Sequence, residues 1–135
     1  MIQSACWKVL RRPDAGAAAY RRVLGQAETV FRLDPNNAAY LNTLAAAYYR
    51  VGRHQEALSA LRRCAERRKE TSPAELAFLA MAQHQLGQKE QAQATLARLR
   101  EAMKQPRWAK DTEAQGFLRE AEAVLKTTPA SGKSP

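Results

Sequence analysis

Long hydrophobic runs are missing from this sequence. No stretch of about 18 apolar residues occurs, which excludes a membrane-spanning helix. Cysteine is scarce: Cys6 and Cys64 stand far apart, each alone in a helical pattern. A disulfide framework or a thiolate metal site needs a cluster, so both read as small, buried, reduced residues. Glycine and proline number six each in 135 residues. β-Branched residues are also sparse. These shortages, with abundant alanine, favour helix throughout. The start, MIQSACWKVLRRP, is too short in its apolar part for a signal peptide, and its charges lie on the wrong side. The expected location is therefore the cytoplasm.

The chain is long enough for one domain with a modest core. Its hydrophobic content of 45% and charged content of 26% are ordinary for a globular protein. Basic residues exceed acidic ones, for a net charge of +9. Residues 1–36 carry +3, residues 37–71 carry +4 and the remainder +2, with 15 Arg against 7 Lys. This bias toward the first half allows an acidic partner or nucleic acid without demanding one.

The glycines reveal a repeat. Gly52 is followed by RHQEALSAL, and Gly87, 35 residues later, by QKEQAQATL. Leu41, Leu44, Ala45 and Tyr48 precede the first; Leu76, Leu79, Ala80 and Gln83 precede the second. Ala57 and Leu61 follow the first glycine, and Ala92 and Leu96 the second. Large residues three and seven apart form the inner stripe of a helix. Alanines let a second helix approach closely. Each glycine stops the first helix, because it takes the left-handed conformation at no steric cost. Such a hairpin cannot bury its apolar face alone, so neighbours must stack.

These residues resemble the tetratricopeptide repeat (TPR) family, whose pattern is W-x2-L-G-x2-Y, then A-x3-F, then P. The unit from Ala38 to about Thr71 follows it with Leu41 for Trp, Ala45 for Gly and Leu61 for Phe. It lacks the closing proline. The unit from Pro73 to about Gln105 has Gln83 for the aromatic, and Pro106 comes late. Upstream, Trp7, Leu10 and the run Leu33–Asn37 resemble the two ends of a degenerate unit, with RRPDAGAAAY as an irregular turn. The resemblance covers residues 2–105. It implies an all-α, right-handed helical-hairpin solenoid of about three repeats, at residues 2–37, 38–71 and 73–105. A C-terminal capping helix at 112–126 completes a domain of residues 1–126.

The expected helices lie near 2–12, 17–32, 38–50, 54–69, 73–85, 89–104 and 112–126. Asn36 or Asn37 can cap the third. Ser72, Pro73 and Glu75 form a capping box with proline at the first helical position. Asp111 can cap the last helix, whose Phe117, Leu118, Ala121, Val124 and Leu125 cover the end of the stack. Residues 127–135, TTPASGKSP, read as a disordered tail.

More widely, AAYRR, LDPNNAAYLNTL and PAELAFLAMAQHQLGQKEQA resemble the C-terminal TPR region of large bacterial proteins that carry a Ser/Thr protein kinase domain or WD40 repeats. This implies the tail of such a protein or a detached copy. The chain itself has no kinase Gly-rich loop, lysine motif, H-R-D or D-F-G.

Catalytic, metal and cofactor chemistry find no support. His54 and His84 have no Cys, His or carboxylate partner at ligand spacing. No G-x-S-x-G elbow is present. Glu28, Glu56, Glu66 and Glu90 read as solvated partners of arginines. Arg62, Arg63, Arg67, Arg68 and Lys69 form a basic cluster on one helix, with Arg11, Arg12, Arg21 and Arg22 around the irregular turn. Single-strand nucleic-acid binding would want interleaved aromatics, which these clusters lack.

The resemblance therefore implies non-catalytic protein–protein interaction, with the first helix of each repeat lining a concave groove for a peptide or partner helix. On this chain the groove residues would be Asn42, Ala46, Tyr49 and Arg50, then Ala77, Met81, His84 and Gln85. Two alternatives are the regulatory tail of a kinase-containing protein and polyanion binding through the Arg-rich half. A third is self-association through the first helix, with Trp7 as an exposed anchor.

Overall fold

The computed structural model describes residues 2–67 and 71–130. Among these residues the chain forms eight helices and no strand: α1 (Ile2–Leu10), α2 (Ala17–Leu33), α3 (Ala38–Arg50), α4 (His54–Arg67), α5 (Pro73–Gln85), α6 (Lys89–Ala102), α7 (Pro106–Ala109) and α8 (Thr112–Leu125). The all-α helical-hairpin expectation holds. No helix among the described residues is long and apolar enough to cross a membrane. The chain divides after residue 70 into two compact units, between the second and third repeats.

In the first unit, α3 packs on α1, α2 and α4. Leu41 and Leu58 are each 1% exposed, and burial of each contributes about 1.5–3 kcal/mol. Ala45 and Ala57 are fully buried, as small residues at a close helix approach must be. The Asn37 side chain caps α3, accepting from the Tyr40 N–H at 3.1 Å. At the other end Gly52, with φ of 87°, closes a Schellman motif. The Arg53 N–H donates to the Tyr48 carbonyl at 2.8 Å and the Gly52 N–H to that of Tyr49 at 3.0 Å.

The irregular turn before α2 is held by Tyr20. Its hydroxyl donates to the Arg12 carbonyl and accepts from the Ala15 N–H. Docking of α1 on α2 and α3 buries Cys6 and Leu10 completely. Trp7 is half-buried and makes its own contacts, so the expectation of an exposed anchor there is corrected. The end of the helix expected over 54–69, with Arg68 and Lys69 of the basic cluster, lies outside the described residues.

The second unit repeats the plan. The Ser72 hydroxyl caps α5, accepting from the Glu75 N–H at 3.3 Å, and donates to the Glu75 carboxylate at 3.4 Å. Gly87, φ 80°, closes α5 as Gly52 closes α3, with Gln88 N–H on the Gln83 carbonyl at 2.9 Å. Ala80, Ala92 and Leu99 are fully buried. Asp111 caps α8 by accepting from Glu113 and Ala114. α8 packs on both α5 and α6, and Phe117 meets Phe78 at 5.4 Å between ring centroids. The four-residue α7 has no counterpart among the expected helices, because one turn shows no periodicity.

Gln83 departs from the repeat pattern, and the fold answers that departure. Its side-chain oxygen accepts from the Thr95 hydroxyl at 2.7 Å, inside the α5–α6 hairpin. Both residues are buried. The equivalent positions one repeat earlier are Tyr48 and Ala60. A large aromatic with a small partner has thus been exchanged for a hydrogen-bonded polar pair.

The disorder expected from residue 127 onward is corrected for its first four residues. Thr127–Ala130 continue from α8 and bind the end of α5, and Pro129 is buried. Residues 131–135 lie outside the described residues.

Candidate functional site

A groove of about 430 Å³ opens in the first unit, where α2 and α4 flank α3. Its volume is typical of a site that holds a side-chain cluster or small ligand. Leu41 and Leu44 from α3, Phe31 from α2 and Ala60 from α4 give it an apolar lining. Tyr48 adds an aromatic with a polar tip, and Ser59 sits on the rim.

The groove is electrically two-ended. In antiparallel hairpins Glu28, Tyr48 and Glu56 come to one end; Phe31, Arg32 and Arg63 come to the other. At the acidic end, burial raises the Tyr48 phenol above its ordinary value, and the negative charge of Glu28 raises it further; Arg53 opposes this and Glu56 adds to it. The Arg53 guanidinium lies 4.8 Å over the Tyr48 ring, and its Nε donates to Glu56 at 2.8 Å. At the basic end Arg63 lies 5.6 Å over the Phe31 ring. These ring contacts preorganise charged tips at both ends of an apolar floor.

The residues expected to line an open face of α3 lie elsewhere. Ala46 is fully buried and Tyr49 is 7% exposed. Arg50 is committed to the unit itself: its Nε donates to the Leu10 carbonyl at 2.8 Å, and its guanidinium lies 5.7 Å from the Tyr20 ring and 5.8 Å from the Tyr49 ring. Asn42 is half-buried, and its Oδ1 has no hydrogen-bond partner among the described residues. On α5, Ala77 and Met81 are fully buried and His84 is 4% exposed. His84 and Gln85 hold the segment after α8. The expectation of a docking floor at Ala46, Tyr49, Ala77, Met81 and His84 is corrected by this burial. The physical reason is coverage: α3 packs against α1, α2 and α4, and α5 packs against α6 and α8.

Glu28 and Glu56, expected on solvated faces, both line the groove. His54, read as a surface residue, is half-buried against Tyr49, with ring centroids 5.1 Å apart. Burial lowers its pKa below the usual 6.5. Cys6 and Cys64 are buried, and burial raises the Cys6 thiol. Among the described residues no group of three or more His, Cys, Asp or Glu side chains is placed to hold a metal ion.

Comparison with known protein families matches residues 50–110 to the tetratricopeptide repeat family. This stretch runs from the last residue of α3 through α7. No curated protein and no solved structure matches the chain.

Proposed function

We propose that this chain, which matches the tetratricopeptide repeat family over residues 50–110, is a non-catalytic protein-binding module whose partner docks in the groove of α2, α3 and α4. The family assignment supports protein–protein interaction in general. The observation that supports this particular surface is the apolar floor with opposite charges at its two ends. The partner of best fit is a helix or peptide that presents apolar side chains to Leu41, Leu44 and Phe31. It places a basic residue near Glu28 and an acidic one near Arg32 and Arg63; Glu56 is already paired with Arg53. Helices in place before binding spare the receptor most of the ordering cost. The absence of catalysis is part of the proposal: both cysteines are buried and His84 is engaged with the main chain.

A photocrosslinking residue at exposed Ser59 tests this docking site. The expected result is a discrete set of crosslinked proteins in native lysate treated with nuclease. A Phe31→Ala/Tyr48→Ala variant with an unchanged circular dichroism spectrum should lose at least about tenfold of that yield, about 1.4 kcal/mol of binding. Equal crosslinking by the variant would overturn the groove. Loss of all capture on nuclease treatment would instead favour polyanion binding by the Arg-rich half.

A further inference from the structure

The second unit contains a small site with its occupant already in place. α8 ends at Leu125, and the chain turns back over the C-terminal end of α5. The Thr127 hydroxyl donates to the Val124 carbonyl at 2.6 Å and fixes that turn. His84 then donates from Nε2 to the Thr127 carbonyl at 2.8 Å. Three residues further, the Ala130 N–H donates to the Gln85 side-chain oxygen at 2.8 Å. Pro129 is buried between these two contacts, although Thr127, Thr128 and Ala130 around it are exposed.

Two features of this arrangement define a ligand. First, both side chains of α5 hold main-chain groups, one carbonyl and one N–H. Such contacts recognise a main-chain stretch of fixed span, whatever its side chains. Second, the only buried side chain of the segment is a proline, which carries its φ angle preset and loses little freedom on binding. A short proline-containing peptide is the chemistry that satisfies both contacts and the burial.

We propose that the C-terminal end of α5, through His84 and Gln85, is a binding site for a short proline-containing peptide, held closed in cis by Thr127–Ala130. A free segment of the same chemistry competes with the tethered one. The short tether gives the cis segment an effective concentration of about millimolar, so free peptide binds well only when the cis segment is unseated.

The test uses the full chain and a fluorescent peptide of sequence KTTPAS, read by fluorescence anisotropy. Pro129→Asp places a charge where the ring was buried and should unseat the cis segment. This variant should bind the peptide at least about tenfold more tightly than wild type. Adding Gln85→Ala should remove that gain, and a peptide with aspartate in place of its proline should not bind. A folded Pro129→Asp chain that binds no better than wild type overturns the proposal. So does binding that ignores Gln85→Ala. If Pro129→Asp does not fold, Gly-Ser-Gly-Ser in place of Thr127–Ala130 removes the ring without adding charge. If neither chain folds, the segment is an integral part of the unit, not a removable occupant, and the proposal fails.

Discussion

The Arg50 guanidinium donates to the Leu10 carbonyl across forty positions of sequence, and so ties the end of α3 to the end of α1. A carbonyl in the last turn of a helix has no intrahelical donor. A cation there also meets the negative end of the helix dipole. Two tyrosine rings, of Tyr20 and Tyr49, flank the same guanidinium. A residue expected to meet a partner thus docks α3 on the protein's own first helix.

Replacing Arg50 with Met keeps much of the side-chain volume and removes the donor. A hydrogen bond to a charged group contributes about 1.5–3 kcal/mol, and a loss of that order is expected in chemical unfolding. Amide exchange should quicken in α1 before it does in α4.

The Gln83–Thr95 pair should behave as a unit. Thr95→Val leaves a buried amide oxygen without its partner, at a cost of about 1–3 kcal/mol. Gln83→Met with Thr95→Val removes both polar groups and should recover most of that loss. A double-mutant cycle in urea measures the coupling.

Two glycines should respond oppositely to alanine. Gly52 has φ of 87°, and the space a methyl group would fill is open, so only backbone strain opposes the change. Gly52→Ala should cost about 1–2 kcal/mol. Gly25 lies within α2 and also has open space around it. Gly25→Ala should gain about 0.5–1 kcal/mol. Thermal unfolding followed by circular dichroism orders the three proteins.

Acid should weaken the first unit through His54. Its folded pKa lies below the ordinary 6.5 because burial disfavours the charged ring. Above that pH neither state is protonated and the stability is complete. As pH falls below 6.5 the unfolded chain takes up the proton first, and stability declines until the folded pKa is passed. His54→Gln should flatten this slope in urea midpoints measured from about pH 7.5 down to about pH 5.

Both thiols should be silent in the folded protein. Cys6 and Cys64 are fully buried, and burial holds the Cys6 thiol in its unreactive protonated form. Reaction with a thiol-specific chromophore should be roughly a hundredfold slower in native buffer than in guanidinium chloride, because labelling must wait for opening.

Local chemistry made much of this fold legible. α3 and α5 occupy the expected spans 38–50 and 73–85, because their boundaries are set by neighbours in sequence. Asn37 and Ser72 satisfy the first amides, and Gly52 and Gly87 take the left-handed turn. The small alanines were legible for the same reason, since Ala45, Ala57, Ala80 and Ala92 recur at the repeat period. The one-turn α7 was not, because four residues carry no period. Nor was the seat of Pro129, because the segment TTPASGKSP has no apolar stripe of its own.

The candidate site divides along the same line. Glu28, Tyr48 and Arg63 are ordinary surface letters in their own helices, and nothing local joins them. Their assembly into a groove depends on how far α2 and α4 stand apart over α3. The burial of Ala46 and Met81 likewise depends on neighbours that a single helix pattern does not count. The sequence by itself determined the hairpins, their caps and their turns, since those rest on contacts within a few residues. Only the tertiary structure decided which helix faces are covered and which stay open, because exposure belongs to the packed unit and not to any one helix.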